Sequence, residues 1–205
     1  MQRLYAIIDR ATLDARNIPV TEFASELRDA GVTLLQYRDK VNGPQEILWA
    51  AEQISAVFKD VDASLILNDR ADLAALVGWG VHVGQEDLPP ADGRLLIAPP
   101  KVVGVSTHND DQVIRADASD ADYIAVGPVF ATSSKQNASP IVGLEGVRRA
   151  RALTSKPIVA IGGITRENAL SVIDAGADSV AVIGGLFSPR ESVEKVARDF
   201  LEILR

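Results

Sequence analysis

Eight short apolar runs recur along the chain, and each one stops at a polar residue or a glycine. The stops are Asp9, Arg38, Asn68, Gln85, Ser106, Thr132, Gly162 and Gly184. The stretches between the runs have helical character, so the pattern predicts a strand followed by a helix, eight times over. Nearly continuous apolar strands alternating with helices are typical of a parallel sheet that is covered by helices. This repetition restricts the chain to a few α/β folds.

Eight such units in about 200 residues favour a closed (β/α)8 barrel over an open sheet. An open flavodoxin-like or Rossmann sheet is the alternative, but no G-x-G-x-x-G motif follows the first strand. We therefore predict a single-domain α/β TIM barrel over residues 1–205. The predicted strands are 4–8, 32–37, 64–67, 81–84, 102–105, 123–126, 158–161 and 179–183. The predicted helices are about 21–30, 44–58, 71–77, 110–118, 144–153, 166–175 and 190–204, and the connection 89–100 is left unassigned.

Composition limits the class of partner. A chain of 205 residues with 47% hydrophobic content can bury one large core. The net charge of −7 at pH 7 argues against a nucleic-acid partner or an anionic membrane surface, since both require a basic face. No apolar run approaches the roughly 20 residues that span a bilayer, and the first residues lack the pattern of a secretory signal. We expect a cytoplasmic protein that acts on small phosphorylated molecules, and the sequence leaves open whether it forms a homo-oligomer.

The segment Gln36 to Lys40, at the end of the second strand, carries the most specific signal. Strand side chains alternate between faces, so Gln36, Arg38 and, if the strand persists, Lys40 point into the barrel mouth. Two cations that face one direction require an anion between them, and a diphosphate suits the planar fork of Arg and the point charge of Lys. The alternative is an internal salt bridge from Arg38 to Asp9. The pattern does not decide between the two.

Two carboxylates follow neighbouring strands. Asp69 comes after the third strand and Asp87 after the fourth, so both are expected at the same rim. Mg2+ prefers one or two carboxylates together with water and phosphate oxygens, and this pair suits that preference. The alternative is that each Asp is only the N-cap of the next helix.

Two glycine pairs follow the last two strands, Gly162-Gly163 and Gly184-Gly185. Glycine lets backbone N–H groups approach a phosphate closely, and the loops after strands seven and eight form the usual phosphate site of this barrel class. The long loop after the sixth strand contains Thr132-Ser133-Ser134-Lys135, whose hydroxyls and amine suit phosphate oxygens. The alternatives are tight turns and a solvated loop.

Two histidines allow other interpretations. Ser106 and His108 are expected to share a face, but no acidic residue completes a Ser-His-Asp order, so a hydrolase triad is weakly supported. His82 lies within an apolar strand and is interpreted as a hydrogen-bonded core histidine.

Six motifs in this order resemble the thiamine-phosphate synthase family across essentially the whole chain. They are Leu35 to Lys40, Asn68 to Arg70, Val81 to Asp87, Gly104 to His108, Val126 to Phe130 and Ile161 to Ile164. The resemblance implies a transferase that joins 4-amino-2-methyl-5-hydroxymethylpyrimidine diphosphate to 4-methyl-5-(2-hydroxyethyl)thiazole phosphate, giving thiamine phosphate and diphosphate.

The resemblance also implies the roles of individual residues. It assigns the pyrimidine diphosphate to Gln36, Tyr37, Arg38, Asp39, Lys40, Asn68, Ser106 and Lys135, of which Arg38, Lys40 and Lys135 stabilise the leaving diphosphate. It assigns the thiazole phosphate to Thr132, Ser133, Ser134, Gly163, Ile183 and Gly184, and Mg2+ to Asp69 and Asp87.

Two departures from the family pattern concern the thiazole side. Ala131 stands where the family often has a stiffening proline, and Gly184 stands where a serine is frequent, so a side-chain hydroxyl is lost there. Three rival functions share the fold: a thiazole tautomerase, a phosphate-binding aldolase or epimerase, and a ligand-binding protein without activity. The four residues Arg38, Lys40, Asp69 and Asp87 argue against the tautomerase, which needs no diphosphate site.

Overall fold

A computed structural model describes residues 2–132 and 140–205. Within these ranges eight parallel strands close into a barrel in chain order, which confirms the predicted TIM barrel. The strands are β1 (Leu4–Asp9), β2 (Leu34–Arg38), β3 (Ser64–Asn68), β4 (Gly80–Val83), β5 (Val103–Thr107), β6 (Tyr123–Val126), β7 (Ile158–Ile161) and β8 (Ser179–Val182). Each strand overlaps its predicted position, so the apolar runs located all eight.

The helices surround the barrel. They are α1 (Arg10–Asp14), α2 (Val20–Ala30), α3 (Pro44–Val57), α4 (Ala71–Val77), α5 (Pro90–Leu96), α6 (Asp110–Asp117), α7 (Gly143–Leu153), α8 (Ala169–Asp174) and α9 (Val193–Ile203). A short 3-10 helix, Gly184–Leu186, follows β8. In the ranges that the structure describes, none of these helices combines the length and the apolar character that crossing a bilayer requires.

Four helices differ from the prediction, since α9 also begins three residues late, at Val193 rather than near residue 190. The sequence analysis missed α1, whose start is fixed because the Asp9 carboxylate accepts hydrogen bonds from the Thr12 N–H at 3.1 Å and hydroxyl at 2.7 Å. Helix α5 lies in the unassigned connection. Helix α8 begins at Ala169 rather than near residue 166. In the turn before it, Asn168 Oδ1 accepts a hydrogen bond from the Thr165 N–H at 2.8 Å.

Strand alternation divides the core into two layers. One layer lies between the strands and the helices and contains most of the buried side chains. The other fills the barrel interior and includes Tyr5, Ile66 and Tyr123. A Cβ at position 104 would lie 2.0 Å from the Tyr123 ring, so Gly104 leaves the space that this ring occupies. Side chains therefore fill the barrel interior, as expected for a barrel of eight strands.

Candidate functional site

A cavity opens at the carboxyl ends of the strands. Its empty volume is about 360 Å³, part of which is open solvent. Its lining consists of Tyr5, Ile7, Gln36, Arg38, Asn68, His82, Ser106, Ala125, Val159, Ile161, Ala181 and Ile183. The structure thus brings together five residues that the sequence analysis assigned to substrate: Gln36, Arg38, Asn68, Ser106 and Ile183.

A buried chain of hydrogen bonds forms the floor of the cavity. Gln36 Nε2 donates to the Tyr5 hydroxyl at 2.9 Å, which lies 3.0 Å from the Tyr123 hydroxyl. That hydroxyl is 2.9 Å from His82 Nδ1, and His82 Nε2 is 2.8 Å from Ser106 Oγ. Burial raises the pKa of both Tyr5 and Tyr123, so both remain neutral at physiological pH. The floor can therefore recognise a neutral polar ring.

The sequence analysis did not single out Tyr5 and Tyr123 as part of the site. The available signal was strand alternation, because Tyr5 has the same parity as Ile7 and both face the barrel interior. An apolar run locates a strand but does not by itself assign each of its residues to a face. Two hydroxyls inside otherwise apolar runs were consequently overlooked.

His82 is confirmed as a buried histidine with hydrogen bonds, and it also pairs with Ser106. His108, which was expected on the same face as Ser106, has its Nδ1 2.6 Å from the Gly127 carbonyl oxygen. Where a Ser-His-Asp triad has a carboxylate, His82 Nδ1 contacts the neutral Tyr123. This arrangement does not favour a hydrolase.

Asn68 carries a polar group without a partner. Among the described residues, its Nδ2 is the single buried side-chain nitrogen or oxygen that lacks a hydrogen bond. Leaving a buried donor unpaired is costly, and such groups in native proteins usually have a functional cause. Because Asn68 also lines the cavity, a bound ligand is a natural acceptor for this amide.

Arg38 forms the salt bridge that the sequence analysis left as an alternative. Its Nη1 lies 2.5 Å from Asp9 Oδ1, and the side chains are 13% and 3% exposed. The salt bridge does not remove Arg38 from the site, because the same side chain lines the cavity. Asp9 therefore fixes the guanidinium at the mouth, and remaining N–H donors are available for an anion.

Lys40, Asp69 and Asp87 form a charged cluster on the same rim. Lys40 Nζ lies 2.9 Å from Asp69 Oδ2. Burial raises the pKa of Asp69, and the adjacent Asp87 raises it further, against the opposing effect of Lys40. Asp87 also accepts the Gly84 N–H at 2.7 Å. Two carboxylates this close repel each other unless a cation or a proton offsets their charge.

The N-cap interpretation of the two carboxylates is wrong. The N-caps of α4 and α5 are Arg70 and Pro89, and neither makes a side-chain cap hydrogen bond. Asp69 has a φ of +64°, which is uncommon for a residue other than glycine and is enriched at functional positions. In the described residues no group of three or more His, Cys, Asp or Glu side chains is arranged to hold a metal ion. A metal here would have two protein carboxylates and would take its other ligands from water and substrate.

Six of the described residues that were assigned to substrate lie outside the cavity lining: Tyr37, Asp39, Lys40, Thr132, Gly163 and Gly184. Tyr37 is buried between the barrel and the helices, and its hydroxyl donates to Asp39 at 2.9 Å. Asp39 also accepts the N–H groups of Val41 at 2.9 Å and Asn42 at 3.0 Å. These contacts give both residues a role in shaping the loop after β2. Lys40 likewise lies beyond the end of β2 and is 53% exposed, so it sits on the rim rather than inside the mouth.

The loops after β6, β7 and β8 pack backbone against backbone. A Cβ at Gly163, whose φ is +63°, would lie 2.4 Å from the Ala131 carbonyl oxygen. A Cβ at Gly185 would lie 2.4 Å from the Ile164 carbonyl oxygen. Because only glycine allows these approaches, the pairs are more than tight turns. Thr132 follows in the same region, while Ser133, Ser134 and Lys135 lie outside the described residues.

The comparison with known proteins agrees with this geometry. The sequence signature of the family described as thiamine monophosphate synthase matches residues 4–186. The chain belongs to this family. A thiamine-phosphate synthase of Koribacter versatilis is 52% identical over 208 residues, covering 100% of this chain and 96% of that protein. A thiamine-phosphate synthase of Methanoregula boonei is 41% identical, covering 97% and 91% of the two chains.

A solved structure supports the same family assignment. The thiamine phosphate pyrophosphorylase of Pyrococcus furiosus superposes with a TM-score of 0.84 at 30% identity. The match covers 98% of this chain and 95% of that one. The likeness extends over the whole barrel, so it includes the strand ends that form the rim described above.

Proposed function

We propose that this protein is a thiamine-phosphate synthase, a transferase that joins the pyrimidine diphosphate to the thiazole phosphate. The observation that carries the proposal is the convergence, around one cavity of a family member, of a charged rim, a neutral polar floor and a glycine-built rim. Each part suits one feature of the two substrates. The cations of the charged rim, together with Mg2+ on its carboxylates, suit a diphosphate, the floor suits an aminopyrimidine ring, and the glycines suit a second phosphate.

The reaction requires little proton transfer from the protein. The C–O bond between the pyrimidine methylene and the diphosphate breaks, and the electron pair leaves with the diphosphate. The electron-rich aminopyrimidine ring stabilises the methylene cation, and the thiazole nitrogen forms the new C–N bond with its lone pair. That nitrogen carries no proton, so a general base is not required. The protein's contribution is positioning and stabilisation of the charge on the leaving group.

Arg38 and Lys40 are proposed to stabilise the diphosphate. Asp9 holds the guanidinium of Arg38 at the mouth, so its charge is oriented before the substrate arrives. Lys40 lies beside the two carboxylates and reaches the same side of the rim. The proposal gives Lys135 a similar role, as the sequence predicts, although this residue lies outside the described part of the chain.

Asp69 and Asp87 are the residues proposed to hold Mg2+. Their proximity and the raised pKa of Asp69 suit a divalent cation, which would offset the repulsion between them. When bound, Mg2+ would supply positive charge to the diphosphate oxygens. Asn68 is proposed to donate its unpaired Nδ2 hydrogen to the pyrimidine diphosphate.

The direct test is to mix both substrates with Mg2+ and to measure thiamine phosphate and released diphosphate together. We expect equal amounts of the two products. Asp69→Ala and Asp87→Ala should each lower the rate and weaken its dependence on Mg2+. Asp72→Ala is the matched control, because Asp72 lies three residues from Asp69 but pairs with Arg70 on the exposed side of α4.

The outcomes separate the rivals. Binding of the thiazole phosphate without any turnover would overturn the proposal and favour a ligand-binding protein. Isomerisation of a thiazole substrate without diphosphate release would favour the tautomerase. An unchanged Mg2+ dependence in both aspartate variants would remove the metal assignment alone.

A further inference from the structure

Arg166 joins two loops that the sequence places far apart. It lies between β7 and α8, three residues after Gly163. Its Nη2 is 2.5 Å from Glu191 Oε2 and its Nη1 is 3.2 Å from Glu191 Oε1, which is a two-point contact. Nη1 also lies 2.6 Å from Asp199 Oδ2 in α9. The guanidinium therefore ties the turn after β7 to the segment after β8 and to the last helix.

The tied segments carry the glycine pairs that follow β7 and β8. Glu191 lies seven residues after Gly184, immediately before Ser192, the N-cap of α9. The backbones of the two loops already touch, since Gly185 has no room for a Cβ beside the Ile164 carbonyl. On the other side of Arg166, Asn168 Nδ2 donates to the Gly163 carbonyl oxygen at 3.0 Å. A displacement of Arg166 would thus be transmitted to both glycine pairs.

We infer that Arg166 is a positioning residue for the thiazole-phosphate subsite, because its contacts with Glu191 and Asp199 hold the loop that carries Gly163 against the segment that follows Gly184. The inference rests on the proposed function. The planar fork of arginine suits this role, because it fixes two carboxylates in one geometry, as lysine does not.

A positioning role and a purely electrostatic role for Arg166 predict opposite effects of a substitution at Glu191. If Arg166 acted as a long-range cation that attracts the phosphate, removing the negative charge of Glu191 would raise the affinity for an anion. If Arg166 acts by holding the two loops together, removing Glu191 breaks the contact and lowers that affinity. Glu191→Gln is therefore the decisive variant, since it keeps the size of the side chain and removes its charge.

The experiment compares Arg166→Gln, Arg166→Lys and Glu191→Gln with the wild-type protein in steady-state assays with each substrate varied in turn. We expect the KM for the thiazole phosphate to rise about tenfold in each variant, because small displacements of binding groups have large kinetic effects. The KM for the pyrimidine diphosphate should stay within about twofold. Thermal stability should change little, since partly exposed ion pairs contribute weakly to folding.

Two variants serve as controls. Lys195→Gln removes another cation from Asp199, at a contact within α9 that joins no two segments. Arg149→Gln breaks an arginine–carboxylate pair that joins α7 to α6 and does not involve the loops after β7 and β8. Both should leave the two KM values unchanged. A lower KM for the thiazole phosphate in Glu191→Gln, or equal changes in both KM values, would overturn the inference.

A second measurement separates this inference from the proposed function. Hydrogen exchange at residues 162–164 and 184–186 should be faster in Arg166→Gln than in the wild-type protein and unchanged in Arg149→Gln. Failure of the wild-type protein to release diphosphate would contradict the proposed function. Unchanged hydrogen exchange in Arg166→Gln would contradict the positioning role, whatever the activity of the protein.

Discussion

The two sides of the barrel mouth are formed by different kinds of chemical group. After β2, β3 and β4 the rim consists of charged side chains, with Arg38 held by Asp9 and Lys40 held beside Asp69. After β7 and β8 it consists of glycine backbone packed so closely that a Cβ cannot be added at positions 163 and 185. We call these the charged side and the glycine side.

Because of this difference, the two sides should respond differently to a substitution. On the charged side, a substitution removes or unbalances a charge and leaves the backbone path intact. On the glycine side, a substitution displaces the backbone of a neighbouring loop, because the contacts there are main chain to main chain. On the charged side, removing both partners of an ion pair should therefore separate the effect on function from the effect on stability, whereas on the glycine side a single substitution should change both together.

The largest effect is expected for Arg38→Met on the charged side. Loss of one well-placed charge partner lowers the rate by roughly 10²–10³. The variant should also lose stability, since breaking a buried pair typically costs about 3–5 kcal/mol and leaves Asp9 without its cation. Steady-state kinetics and denaturant unfolding would measure the two effects.

The double variant Arg38→Met with Asp9→Asn separates the two roles of Arg38. It should recover much of the stability, because no buried charge is left unpaired, while the rate stays low. A return of activity together with stability would mean that Arg38 serves only as the structural partner of Asp9.

A smaller effect is expected for Gly163→Ala, which tests the glycine side. The left-handed conformation alone costs an alanine about 1–2 kcal/mol, and the contact with the Ala131 carbonyl adds to that cost. The KM for the thiazole phosphate should rise about tenfold, by the same argument as for displaced binding groups.

Gly78→Ala is the matched control for Gly163→Ala. Gly78 ends α4 with a φ of +70°, and nothing lies within 4 Å of an added Cβ. It should show the conformational cost alone, with unchanged kinetics. Equal destabilisation of the two variants would show that the loop beside position 163 moves aside without cost. The proposed difference between the charged side and the glycine side would then be wrong.

The smallest effect concerns Asp69→Asn in the metal-free protein. Burial and Asp87 raise the pKa of Asp69, so the native state binds the proton more tightly than the unfolded chain does. The stabilising contribution of the protonated form is present below the unfolded pKa and is lost as the pH rises through the folded pKa. At about pH 7 the Asn variant should therefore melt slightly higher than the wild type, and the difference should shrink on acidification. Asparagine tolerates the positive φ at this position.

Asp39→Asn should behave in the opposite way. Burial raises the pKa of Asp39, but hydrogen bonds from Asn42, Val41 and Tyr37 outweigh it and lower the pKa overall. Its stabilising contribution is present above the unfolded pKa and is lost as the pH falls through the folded pKa. The Asn variant should thus melt lower than the wild type at neutral pH and approach it in acid. Thermal melts of both variants across the acid range would check the two signs.

The sequence predicted the barrel because its signal is repeated. Each apolar run is long enough to mark a strand, and eight repeats in about 200 residues leave few closed arrangements. The prediction was weaker for short helices: α1 depends on a cap from Asp9 to Thr12 that overlaps the end of a strand. Residues that reach the rim were found when they interrupted an apolar run, as Arg38 and Asn68 do. Tyr5 and Tyr123 were missed because they continue such runs.

The sequence by itself determined the order of strands and helices and the kinds of chemical group at each strand end, because these depend on local periodicity and residue type. Only the tertiary structure decided which groups meet. It paired Arg38 with Asp9, turned Tyr37 away from the cavity, joined His82 to Ser106 and connected Arg166 to Glu191. These contacts depend on the closure of the barrel, which brings together residues from distant parts of the chain, and the local patterns do not specify which of those distant side chains meet.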